Sequence, residues 1–214
     1  STLYEKVGED IDKILEKVKT LRDLSEITIL PIPETKKVEL IGLLEPLIEQ
    51  MLRLLRLYEE TKKRLEELKL SYQEMIRVPI TNVEQLRRIW QTITQMEEIS
   101  GEILVEKRAK FQQLVREFIQ DNNLTLSQIQ RLLTFLARIG MDTSKYYDMI
   151  RESFIRYIKE GIATIGDILL LLEDMRRYKP LVDILFPDKG LLLTLILVRF
   201  REFWAEGRVG ARQI

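Results

Sequence analysis

Neither cysteine nor histidine occurs among the 214 residues of the chain. The first absence removes disulfides, thiolate zinc sites and cysteine nucleophiles, and the second removes every imidazole base or ligand. Hydrolytic chemistry would then fall to carboxylates, lysine or serine, and none of the seven serines stands in a GxSxG elbow or an SxxK pair. Net charge is also missing. The 34 Lys and Arg balance 34 Asp and Glu, so no overall field draws the chain to nucleic acid or to an anionic membrane. Residues 1–75 hold 13 basic against 16 acidic side chains, and residues 76–214 hold 21 against 18, a contrast too mild to define a partner.

Long apolar runs are scarce. The longest, LLLTLILV at 191–198, is less than half of the ~20 residues a membrane span requires, so no transmembrane segment is expected. The opening STLYEKVGEDID lacks a basic start and an apolar core, which predicts no secretory signal and an intracellular location or one within a particle. The leading Ser without Met suggests a trimmed start. Nine glycines and six prolines punctuate the chain, and the glycines mostly sit where helices should stop. GIATIG at 161–166 has the outer spacing of a phosphate loop, but Asp167 follows where a lysine is needed, and its charge would repel phosphate. Lack of cysteine with abundant Glu, Lys and Arg suits a hot habitat, against which eleven glutamines argue.

What the chain does have is apolar residues at spacings of three and four almost from end to end, which predicts an all-α fold. A first helix over 2–24 carries a seam of Val7, Ile11, Ile14, Val18 and Leu21, and SEITILPIPE at 25–34 follows as linker and sole extended stretch. A long amphipathic element from Thr35 to about Arg77 bears Leu44, Ile48, Met51, Leu55, Tyr58 and Leu65 at heptad spacing, and Pro46 is tolerated if the helix proper begins there. Val78-Pro79 ends it and Thr81-x-x-Glu84 reads as a capping box. The next helix is expected to run from 82 to about 121, kinked at Ser100-Gly101, with Leu86, Trp90, Ile93, Leu104, Phe111, Leu114 and Phe118 on one stripe. Two such helices joined by a short loop predict a long antiparallel, coiled-coil-like hairpin.

Beyond Asp121 the helices shorten. Thr125-x-x-Gln128 opens one that stops at Gly140; another runs from Asp142 or Thr143 to Gly161; Thr164-x-x-Asp167 opens a third that stops before Pro180. LVDILF is a turn or short helix, and a final helix spans 190–206. The endings FIRYIKEG (154–161) and FREFWAEG (200–207) match in pattern, and TLSQIQRLLTFLARI (125–139) aligns without gaps on TIGDILLLLEDMRRY (164–178). Degenerate α-hairpin repeats explain this, and so does the burial of one face by any two capped helices. The first helices are 39 residues apart and the endings 46, so the two matches do not share one period. If the pairs are repeats, Tyr157 and Phe203 occupy equivalent packing positions. The alternation of apolar and aromatic helices over 125–207 loosely resembles organellar octotricopeptide-type RNA-binding repeats, and that resemblance implies RNA as a ligand. The expected segments are 1–34 (helix and linker), 35–122 (hairpin), 123–207 (array of short helix pairs) and 208–214 (tail).

Carboxylates cluster at Glu5, Glu9 and Asp12 and at Glu97, Glu98 and Glu102, and a solvated helix face accounts for both. No metal, cofactor or small-molecule substrate is inferred. Basic residues punctuate the second half: Arg87-Arg88, Lys107-Arg108 and Lys110, then Arg138, Arg176, Arg177, Lys179, Arg199, Arg201, Arg208 and Arg212. Those from Arg138 onward are the candidates for phosphate contacts, and Arg138 and Arg177 align in the paired helices. The last helix is apolar nearly all round, which requires a central place in the core or a partner. Its candidates for an interface are Leu191, Leu192, Leu195, Phe200, Phe203 and Trp204. The expectation is a non-enzymatic structural or assembly subunit, such as a component of a virion or large complex, that self-associates or presents helices to a protein partner. The alternative is a nucleic-acid-binding helical protein that uses the Arg-rich second half.

Overall fold

A computed structural model describes residues 3–26 and 34–207, and these are all-α, with nine α-helices and no strand among them. Most of the expected linker at 25–34, and the side chains of Val18 and Leu21, lie outside the described residues. Helix α1 spans Leu3–Glu26 and α2 Glu34–Arg77. They are followed by α3 (Val83–Ser100), α4 (Val105–Asp121), α5 (Leu126–Arg138), α6 (Tyr147–Arg156), α7 (Ile165–Arg177), α8 (Lys179–Leu185) and α9 (Lys189–Ala205). The chain forms two compact units, Ser1–Arg77 with Gln91–Val105, and Val78–Trp90 with Glu106–Ile214.

In the first unit α1 packs against α2, with Val7 and Ile14 buried. Pro46 does not begin the helix; it sits twelve residues inside a continuous α2. Its ring lacks the N–H that would bond the carbonyl of Gly42, and the 44-residue helix carries on past that lost bond. Farther along, Thr61, Leu68 and Tyr72 are buried, and Arg64 Nη2 reaches Gln95 Oε1 of α3 at 3.4 Å.

The second arm is not the continuous 82–121 helix the stripe suggested. Gly101 adopts φ 67°, a left-handed conformation that favours glycine and stops a helix. Its N–H donates to the Glu97 carbonyl at 2.7 Å, and the Leu104 N–H donates to the Glu97 carboxylate at 2.9 Å. The expected kink is therefore a full break, and the chain doubles back. Trp90 of α3 then faces Phe111 of α4, ring centroids 5.0 Å apart, so the single stripe is two helix faces closing on one another. The α3 cap also differs by one residue. Asn82 Oδ1 accepts from Gln85 N, and Gln85 Oε1 accepts from the Thr81 and Asn82 amides. Glu84, freed from capping, lies 3.8 Å from both Arg87 and Arg88.

The second unit holds a dense core of Leu86, Ile89, Phe111, Phe118, Leu132, Leu136, Ile150, Phe154 and Leu185, each at most 1% exposed. The capping boxes of α5 and α7 form as the sequence predicts, Thr125 with Gln128 and Thr164 with Asp167. Between them the expected helix from 142 to 161 divides. Asp142 accepts from Ser144, a 3-10 turn covers Ser144–Tyr146, α6 follows, and a π-helical turn closes Tyr157–Gly161.

The aligned helices α5 and α7 agree in their caps and in buried Ile129 and Ile168, and Leu132 and Leu171. Their partners do not agree. Phe154 and Ile158 are fully buried where Phe200 is half-buried and Trp204 exposed, and Tyr157 is half-buried where Phe203 is fully buried. FIRYIKEG ends in a π turn, whereas FREFWAEG ends at Gly207 with φ 66°. Equivalent packing of Tyr157 and Phe203 is thus overturned, because the two helices turn different faces to the core.

Candidate interaction surfaces

The carboxylates whose ionisation is shifted have structural work to do. Hydrogen bonds from the Ser144 side chain and backbone hold Asp142 below the usual range, amides of Ala163 and Thr164 do so for Asp167, and Lys189 does so for Asp183. A general acid needs the opposite shift. Burial raises the Tyr72, Tyr146 and Tyr157 hydroxyls, which keeps them protonated. Among the described residues no group of three or more carboxylates could hold a metal ion, and no helix is long and apolar enough to cross a membrane.

The interface candidates on α9 divide between two faces. Leu192 and Phe203 are fully buried within their own unit, Leu195 and Phe200 are half-buried, and Leu191 and Trp204 are 53% and 50% exposed. Leu192 and Phe203 are therefore core residues and not interface residues. With Ile196 and Arg199 they form the inward stripe at spacings of four, three and four, while Leu193, Leu197 and Val198 join Leu191 and Trp204 outside.

The basic candidates also separate. Arg199 is taken up internally: one Nη donates to Glu202 and the other to the Ile162 carbonyl, both at 2.7 Å, and the guanidinium lies 4.5 Å from the Phe203 ring centroid. It secures the chain after the π turn and is corrected from a phosphate candidate to a packing residue. Arg176 lies 4.0 Å from Glu173, and Arg177 stacks on Tyr178 at 5.5 Å. Both line a shallow recess with Leu170, Glu173 and Asp174, so acidic groups offset them. Lys179 and Arg201 are exposed, and Arg208 and Arg212 lie outside the described residues.

Arg138 is placed differently. It lines a cleft of about 680 Å³ with Arg131 on α5 and Arg87 and Arg88 on α3. The aligned pair Arg138 and Arg177 is therefore not on one concave surface. Arg131 carried a signal, since it stands seven residues before Arg138 and so on the same helical face, but the alignment drew attention to Arg177 instead.

A second exposed apolar feature is on α2. Ile41, Ile48, Leu52 and Leu55 are 53%, 44%, 47% and 38% exposed. They continue with half-buried Leu44 and Met51 along the heptad stripe the sequence shows. Helix α1 approaches the other side of α2, where Lys13, Glu16, Lys17 and Thr20 share a groove with Gly42, Leu43, Pro46 and Leu47, nearly half a turn from the stripe at 100° per residue.

Together these features define an all-helical protein that offers apolar helix faces and an arginine-lined cleft. Comparison with protein-family models, with curated proteins and with solved structures finds no match to this chain.

Proposed function

We propose that the chain is a non-enzymatic assembly subunit that pairs with a second copy of itself through α2, as part of a larger complex. The observation that carries this reading is the α2 stripe, four large apolar side chains each more than a third exposed over about four helical turns, Ile41–Leu55. Amphipathic helices bury such a stripe against something. A second copy set antiparallel matches the stripe to itself. With Ile48 against Met51 of the second copy, Leu44 falls against its Leu55, Leu47 against its Leu52 and Ile41 against its Tyr58, so each apolar position meets an apolar one.

Light scattering on a size-exclusion column, run over a range of concentrations, tests the reading. A dimer is expected for the native chain and a monomer for Leu52→Glu with Leu55→Glu. A native chain that stays monomeric at high concentration, or a double Glu variant that stays dimeric, refutes it.

A further inference from the structure

The cleft between α3 and α5 lies in the second unit and is independent of the α2 stripe. Four guanidiniums line it, from Arg87, Arg88, Arg131 and Arg138, and Glu84 is the sole carboxylate among its lining residues. That leaves a local excess of three positive charges in a chain whose net charge is zero. Glu84 serves two of the arginines at once, each at 3.8 Å through Nε, a separation longer than a hydrogen bond. Arg131 and Arg138 are exposed. They stand seven residues apart on one helix, about 10 Å along its axis, and so address separate anionic groups. Side chains of Gln128 and Thr134 stand beside them in the lining.

We propose that this cleft binds a phosphate-bearing polyanion, with Arg131 and Arg138 as the principal contacts. A guanidinium presents a planar fork of donors and no acceptor, which suits phosphate oxygens. The cleft's aromatic residues do not offer a face for bases. Phe118 and Phe135 are 1% and 5% exposed, and Arg87 already lies 5.9 Å from the Phe135 ring centroid. Recognition is therefore by charge along a phosphate chain, without base readout. The same chemistry is supplied by a nucleic-acid backbone and by a free polyphosphate.

Fluorescence anisotropy with a short labelled single-stranded RNA decides the question, using unlabelled DNA of the same length, inorganic triphosphate and polyglutamate as competitors. Binding at about 50 mM salt that weakens by at least tenfold near 200 mM is expected. Arg131→Glu with Arg138→Glu should abolish it, because both principal phosphate contacts become repulsive. Arg201→Glu, an exposed site elsewhere in the unit, should leave it unchanged, and circular dichroism checks that each variant is folded. Nucleic acid outcompeting triphosphate identifies a nucleic-acid backbone as the source, and the reverse identifies a free polyphosphate. Absence of binding at low salt, an unaffected Arg131/Arg138 variant, or polyglutamate competing as well as the phosphates would each overturn the assignment.

Discussion

Helix α2 is 44 residues long and α5 is 13, yet the shorter helix buries more of itself. Five α5 residues are buried, Leu126, Ile129, Leu132, Phe135 and Leu136. On α2 the buried residues among those described are Thr61, Leu68 and Tyr72, all in its C-terminal half. Both helices are amphipathic, so pattern alone does not separate them. Residues 126–138 pack against α7 and, through Phe135 on Phe111, against α4 within one unit, while the N-terminal half of α2 meets α1 and leaves its heptad stripe in solvent. Helix length follows local propensity, but stability follows packing. The open stripe of α2 is the face on which the proposed second copy would pack.

The contrast is tested most severely at its two extremes. Phe111 is fully buried, 5.0 Å from the Trp90 ring and 6.3 Å edge-on from Phe135. Phe111→Ala should cost about 3–5 kcal/mol by urea unfolding, the usual loss for a large core aromatic. Leu55→Ala, measured at a concentration where the chain is monomeric, should fall within about 0.5 kcal/mol of the native value, as exposed substitutions do. Similar losses at the two positions would erase the distinction between a cored unit and an open stripe.

A smaller effect is expected from the second unit's buried polar joint. Ser153 is fully buried; its hydroxyl accepts from the Leu124 N–H at 3.0 Å and donates to the Asn122 carbonyl. The turn between α4 and α5 is thus held by α6. Ser153→Ala leaves the buried Leu124 amide unpaired, while the Asn122 carbonyl keeps Arg156 Nη2 at 3.3 Å, and about 1–3 kcal/mol should be lost. Amide hydrogen exchange at Leu124 is the direct check: it should accelerate in the variant, and an unchanged rate would show that the turn holds without the serine.

The helical class, the caps of α5 and α7 and most helix ends were legible in the sequence, because each depends on residues three or four apart. Thr125 with Gln128 and Thr164 with Asp167 needed nothing else. The break at Gly101 was only half legible. Ser-Gly marked a bend, but the full reversal depends on the carboxylate of Glu97 receiving the Leu104 amide, a contact across a loop that periodicity does not encode. The aligned helix pairs misled for a related reason. Matching apolar positions report that a face is buried, and Phe154 against Phe200 shows that they do not report which residues it is buried against. The arginine cleft was hidden because Arg87 and Arg131 lie 44 positions apart and meet only once α3 and α5 pack.

The finest difference lies between the two capping boxes, which share geometry but differ in charge. Gln128 closes the α5 box with a neutral amide, and Asp167 closes the α7 box by accepting from the Ala163 and Thr164 amides, each at 2.9 Å. Those bonds hold Asp167 below the ordinary carboxylate range. A carboxyl whose folded value is depressed contributes stability that is complete above its unfolded value, about 3.9, and is lost as pH falls through the folded one. Thr125→Ala should therefore cost a similar amount, about 1 kcal/mol, at neutral and acid pH. Asp167→Asn should destabilise the chain near pH 7, and its gap to the native protein should close as the pH drops below about 4. Paired urea titrations of both variants at the two pH values make the comparison. An Asp167→Asn gap that persists in acid would mean that the Asp167 carboxylate owes its place in the box to shape and not to charge.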